Sequence, residues 1–365
     1  MGQSVSDPRH PRKAAWPGLV TVVALLFVAA CSSGGTASGV PTATPAAVAP
    51  SGTAAPTQAL SPIKLRFGYI PGLTGGAIAA VGEHLGLWAK YGLDVQLVKF
   101  TSGPPLLTAM AAGQLDVGYI GNGAMWGPPK GLATIIAIDE ISLETFIIAQ
   151  PGSGVTRLAD LRGKTVGTPT GSAGDLLLEL ALSSVGLTNA DIVKLNMDPA
   201  TVVSSFVSGK IDVASIWTPP ETQILQSVPN AIIVAGNRNF PNTKFVGAMI
   251  ASNGIVKNNP EAVRRFLGAF IEANDYRKAN LQETIGITSA FLGIPADQLA
   301  ATAKNIQFLS SDELFAANQS GETLKWIESL VALFPKTGQL TTIPSPSTYV
   351  NLDLFNEAKT GGAGS

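Results

Sequence analysis

Gly113-Gln114-Leu115-Asp116-Val117-Gly118-Tyr119-Ile120 recurs 96 residues later as Gly209-Lys210-Ile211-Asp212-Val213-Ala214-Ser215-Ile216. Each copy closes an apolar-periodic helix with a Gly suited to the left-handed turn after a helix, then opens a strand with an Asp. The strands run into uncharged loops, Gly121-Asn122-Gly123 in one copy and Trp217-Thr218-Pro219 in the other. Such a repeat predicts two similar α/β halves. Open α/β sheets bind ligands beyond the carboxyl ends of their strands, so two halves facing each other predict a ligand cleft between two lobes. Asp116 and Asp212, at the strand starts, read as structural acids rather than ligand contacts.

Outward from the repeat, short β-rich runs alternate with helices closed by Gly, the pattern of an α/β fold. Strands are expected at Ile63 to Ile70, Asp94 to Phe100, Val117 to Ile120, Thr165 to Thr168, Ile192 to Asn196 and Val213 to Ile216. Helices are expected at Ala77 to Lys90, Pro104 to Ala112, Asp175 to Val185 and Pro199 to Ser208, with Pro tolerated in a first turn. Beyond Asn259 the chain reads as mainly helical, clearest at Glu261 to Lys278, Ala296 to Lys304 and Glu322 to Leu333. Two apolar runs, Leu143 to Ala149 and Phe245 to Ala251, read as crossings between lobes. Lobe 1 is therefore expected at 63–145 and 249–357, lobe 2 at 146–248, and a flexible tail at 358–365.

Charged residues make up 13% of the 365, and 24 Lys plus Arg nearly balance 25 Asp plus Glu, which removes the basic footprint of a nucleic-acid binder. Two His and one Cys exclude a disulfide framework, a Cys-rich zinc site and a His cluster. No metal or cofactor is expected. Near the start, Arg9, Arg12 and Lys13 precede the apolar run Leu19 to Val28, too short to span a bilayer, and Val28-Ala29-Ala30-Cys31 follows. This resembles a bacterial lipoprotein signal, which implies removal of residues 1–30, lipidation of Cys31 and anchoring to the outer face of the cell membrane. Losing Asp7, Arg9, Arg12 and Lys13 takes the net charge from −1 to −3. Residues 32–62 carry no charge and little apolar bulk, so 31–62 reads as a disordered tether with a root-mean-square span of about 30 Å.

Lys99-Phe100-Thr101-Ser102-Gly103 followed by Ala111-Ala112-Gly113-Gln114-Leu115-Asp116-Val117-Gly118, then Gly209-Lys210-Ile211-Asp212-Val213 into Ile216-Trp217-Thr218-Pro219, resembles the taurine, alkanesulfonate and nitrate group of ABC-transporter substrate-binding proteins. The resemblance covers most of residues 63 to 350. It implies a two-lobed type II periplasmic-binding fold that closes on a small ligand, most simply as a monomer, and delivers it to a permease with its ATPase.

The residues point the same way. Five loops should line the cleft, carrying Gly72 and Thr74, Thr101 and Ser102, Asn122 and Gly123, Thr170, Gly171 and Ser172, and Trp217 and Thr218; none is charged. Thr170 to Gly174 and Thr101 to Gly103 each precede a helix, where free N–H groups, hydroxyls and the positive helix end favour an oxyanion such as a sulfonate. Glu144, a lone carboxylate at the first crossing, suits a ligand amine, and Trp217 could add a cation–π contact. By the resemblance, Glu144 matches an acidic position of taurine-binding relatives, while a second acidic position falls at or near Gly247. A thiamin-pyrimidine precursor is the alternative ligand, stacked by Trp217 and Tyr69. The rival function is an enzyme on the same scaffold, which would normally not be exported. His84 and Arg238 read as surface charges, and Trp88 and Trp326 as packing.

Overall fold

The computed structural model describes residues 62–362. The leader, Cys31 and nearly all of the tether lie outside them. Eleven strands form two sheets: β1 Ile63–Tyr69, β2 Leu93–Lys99, β3 Val117–Ile120, β4 Thr134–Ser142, β5 Thr145–Ala149, β6 Thr165–Thr168, β7 Val193–Asn196, β8 Val213–Trp217, β9 Ile232–Gly236, β10 Val246–Ala251 and β11 Ile306–Phe308. The six-stranded sheet runs β11-β4-β10-β3-β1-β2 and the five-stranded sheet β7-β6-β8-β5-β9. In each, a parallel trio (β2-β1-β3, β7-β6-β8) is extended by antiparallel strands on the same side, so the sequence repeat is also a topological one. This is the expected two-lobed α/β architecture.

The repeated acids act as strand-start latches. Asp116 accepts from the Arg66 backbone N–H and from its guanidinium at 2.8 Å, tying β3 to β1. Asp212 accepts from the Thr165 N–H at 2.8 Å, tying β8 to β6. Each carboxylate thus satisfies an amide of the neighbouring parallel strand, mid-strand at Arg66 and at the first residue, Thr165, in the other copy, which fixes register.

β4 is buried along its whole length, as is β10, because helices cover both faces of the six-stranded sheet. Phe67 packs edge-on to Trp88 and to Phe266, with centroids 6.1 and 5.1 Å apart. Trp88 and the half-buried Trp326 are packing residues, and His84 is exposed, all as expected.

Three expectations change. The helix expected over Ala77 to Lys90 is two helices, Gly75–His84 and Leu87–Lys90, because Gly86 takes a left-handed φ of 63° between them. Both runs read as crossings are mostly sheet strand: β5 pairs with β8 from Thr145 on and also with β9, and β10 pairs with β4 from Val246, so the crossings are 143–144 and 237–245 rather than Leu143 to Ala149 and Phe245 to Ala251. Asn237 Nδ2 donates to the Ser142 carbonyl at 3.2 Å and ties the two crossings together. Finally, the tail expected to be free from 358 is held at its start, where Lys359 donates to Ser311 Oγ and pairs with Asp312.

Candidate functional site

The carboxyl ends of β1, β3 and β8, the first crossing and the start of the helix Ala173–Ser184 converge on one cleft between the lobes, with about 520 Å³ of space, part of it open to solvent. Seven of the expected residues line it: Gly72, Thr74, Asn122, Glu144, Ser172, Trp217 and Thr218. Tyr119, Ser142, Thr145 and Ala173 line it as well.

Five expected residues do not. Thr101 is exposed and faces an outer recess, and Ser102 is buried as the N-cap of Gly103–Ala111. That helix is a poor anion cradle because Pro104 and Pro105 have no N–H to give. Gly123 packs against the Ser172 backbone so closely that a Cβ would overlap it. Thr170 is exposed, with its N–H given to Asn196 Oδ1 at 3.0 Å. The Gly171 N–H goes to Asp175 Oδ2 at 2.6 Å, and its carbonyl accepts from Trp126 Nε1 at 3.0 Å. Two amides expected to be free are therefore spent within the protein. What remains for a ligand at this helix end is the first-turn N–H groups and the Ser172 hydroxyl, which is buried without a partner. The Thr145 hydroxyl, also unpartnered, adds a further donor or acceptor.

One acid, Glu144, lines the cleft, with Asp139, Glu140 and Glu221 close enough to interact with it. Glu144 is 8% exposed, and among the described residues no donor reaches its carboxyl. Burial, then the charges of Asp139 and Glu221, pushes it up to about 8. Glu221, half held by the Thr222 and Thr218 hydroxyls at 3.0 and 3.3 Å, is raised by burial. Glu140 is fully buried and raised well above the carboxylate range, by burial first and then by Asp139. Its Oε1 accepts from the Tyr119 hydroxyl at 2.8 Å. Glu140 reaches Tyr119 by crossing β10 at Gly247, where any Cβ would overlap the carboxyl. The missing side chain at Gly247 is thus the space that a neighbouring strand's acid occupies.

One buried cation balances this floor. Arg277 pairs with Asp139 at 2.9 Å, both with side chains 0% exposed, and donates to the Asp139 and Leu73 carbonyls at 3.1 Å. It therefore holds the loop carrying Gly72 and Thr74 against β4. Among the described residues no basic side chain lines the cleft itself. Tyr69 is outside the lining, packed on Phe291 with centroids 5.8 Å apart, which removes it as a stacking partner. Arg238 donates to the Lys304 carbonyl and Asn305 Oδ1, also away from the cleft.

The sequence reading missed Tyr119, Glu140 and Arg277. A signal for the acid was present: Ile135 to Ile141 is an apolar run interrupted by adjacent Asp139 and Glu140, and acids inside a buried strand need a reason.

A two-lobed fold with its cleft at the strand ends is an architecture that solute-binding proteins use and some enzymes share. The sequence profile described as NMT1/THI5 like matches residues 76–284, and the chain belongs to that family. It is 41% identical over 294 residues to a Brucella abortus (strain 2308) protein provisionally named a binding protein, covering 80% of this chain and 92% of that one. An Escherichia coli (strain K12) protein provisionally named as aliphatic sulfonates-binding is 31% identical over 174 residues, 44% of this chain and 50% of the relative. The crystal structure of the periplasmic aliphatic sulphonate binding protein SsuA from Escherichia coli superposes with a TM-score of 0.61 at 21% identity, covering 80% of this chain and 92% of that one. These relatives are named for binding, not for catalysis.

Proposed function

We propose that the chain is the extracytoplasmic solute receptor of an ABC importer, anchored through Cys31, and that it binds a small sulfonate carrying an amine, of the taurine kind. The observation that carries this reading is the unpartnered Glu144 carboxyl in a cleft without basic side chains, with Ser172 and the start of Ala173–Ser184 contributed by the second lobe. A carboxylate matches an ammonium group. Hydroxyls and helix amides match a permanently ionised sulfonate, with charge-assisted bonds of about 1.5–3 kcal/mol each. A sulfonate without an amine gains nothing from ionised Glu144, so the acidic floor narrows the class. The names of the sulfonate-binding relatives support the same class. Delivery would be to a permease and its ATPase, without turnover of the ligand.

Calorimetry tests this with taurine, ethanesulfonate and an aminopyrimidine. Taurine is expected to bind and to be recovered unchanged. Ser172→Asp is expected to abolish binding of both sulfonates, because it sets a like charge against the anionic end. If only the aminopyrimidine binds, the ligand is a flat nitrogenous ring held against Trp217. Anchoring is tested separately: Cys31→Ala should release the protein or leave its precursor uncleaved, and a processed, membrane-bound variant would sink the lipoprotein reading.

A further inference from the structure

A second recess shares part of its wall with the ligand cleft, Trp217 included. It holds about 920 Å³ of space against about 520 Å³, in both cases partly open to solvent. Three residues line both: Ile70 and Pro71 from the loop after β1 in one lobe, and Trp217 at the end of β8 in the other. They form a partition built jointly by the two lobes. The outer recess has mostly apolar walls, including Phe100, Pro199, Val203 and Ile294, with Lys99, Thr101, Asp198 and Gln223 as its polar members. The inner cleft holds the unpartnered carboxyl and hydroxyls, whereas the apolar volume lies just beyond the indole.

We propose that Trp217 sets the length of solute the receptor accepts, and that the outer recess is a latent subsite for the unbranched carbon chain of a longer homologue. This rests on the inner cleft being the solute site. With the indole in place, a solute whose polar ends are satisfied inside must be short enough to fit between the carboxyl floor and the partition. Trimmed to Ala, position 217 opens the two spaces into one, and each methylene passing into the recess leaves water for an apolar wall. A fully buried methylene raises affinity about fourfold, so a chain with four extra methylenes has ample driving force even when partly buried. Of the three shared residues Trp217 has the largest side chain, so trimming it removes the most of the shared wall.

The full-length protein is titrated with taurine and 2-aminohexane-1-sulfonate, which keeps taurine's spacing of amine and sulfonate and adds an apolar tail, and in parallel with ethanesulfonate and hexane-1-sulfonate, so that chain length is read independently of the amine. Wild type is expected to bind the two-carbon members at least about tenfold more tightly than the six-carbon members. In Trp217→Ala the order should invert: the six-carbon members gain about tenfold or more while the two-carbon members weaken, through lost contact with the indole. Trp217→Phe should fall between. Adding Val203→Trp to Trp217→Ala, which refills the recess from Pro199–Val207, should cancel the gain. Equal losses for both lengths in Trp217→Ala, or a wild type indifferent to length, would overturn the proposal while leaving the sulfonate reading intact. Failure of wild type to bind any of the four would refute the sulfonate reading and this inference with it.

Discussion

If Glu144 receives the ligand's ammonium group, binding must be linked to its proton. Burial and the neighbouring acids hold this carboxyl at about 8, so at pH 7 it is about nine-tenths protonated in the empty cleft. An ammonium group needs the carboxylate. Ionising Glu144 then costs about 1.4 kcal/mol at pH 7 and about 2.7 kcal/mol at pH 6, and the cost fades above pH 8. Taurine affinity should therefore rise about fiftyfold between pH 6 and pH 8, with close to one proton released per ligand at pH 7. Calorimetry in buffers of different ionisation enthalpy counts that proton directly. A sulfonate lacking the amine should show the opposite trend, because it favours the protonated form. Glu144→Gln should abolish the proton release and weaken taurine by about 1–3 kcal/mol while sparing ethanesulfonate. Flat affinity from pH 6 to 8 with no proton released, or equal losses for both ligands in Glu144→Gln, would remove Glu144 from the amine role. The sign for the empty protein follows from the same shift. A folded-state value raised from 4.5 to about 8 contributes stability that is complete below 4.5 and is lost as pH climbs through about 8. The unliganded melting temperature should fall across that window, and less steeply in Glu144→Gln.

Gly123→Ala should hold the lobes apart, because a Cβ there overlaps the Ser172 backbone; ligand affinity should drop at least about tenfold, and small-angle scattering should no longer show the contraction expected on ligand binding. A variant that still contracts would move closure elsewhere. Arg277→Leu strands the buried Asp139 carboxylate and should cost about 3–5 kcal/mol in chemical denaturation, whereas Arg277→Leu with Asp139→Leu should recover much of it; equal losses would mean the pair contributes only bulk. Gly247→Ala should displace the Glu140 carboxyl, break its bond from Tyr119 and destabilise by about 1–3 kcal/mol; the tyrosine ultraviolet spectrum would report the change, and an unchanged spectrum would refute the cross-strand account.

The legible parts of this molecule were those written locally. A Gly-X-X-Asp turn into a strand is a short-range pattern, so β3, β8 and their pairing latches could be read from Gly113 to Ile120 and Gly209 to Ile216. The same is true of the loops at the strand ends, which supplied six of the seven expected residues found in the cleft. β4 was missed because a strand buried on both faces has no alternation to read. β10 was mistaken for a crossing because an apolar run does not say which sheet it joins. The acidic floor was hidden for a further reason: Tyr119, Glu140 and Gly247 come from three strands far apart in sequence and meet only through register. The amides of Thr170 and Gly171 were miscounted because Asn196 and Asp175, which take them, lie outside the loop itself.

The tie between Asn237 and the Ser142 carbonyl turns two separate chain passages into one pivot line. Two independent tethers would let the halves slide and twist as well as swing. A joined pair favours one coordinate, the opening angle, over sliding and twist. On the proposed function, a permease would then need to sense mainly that angle to know whether cargo is aboard, and one pair of spectroscopic labels, one per lobe, would follow it.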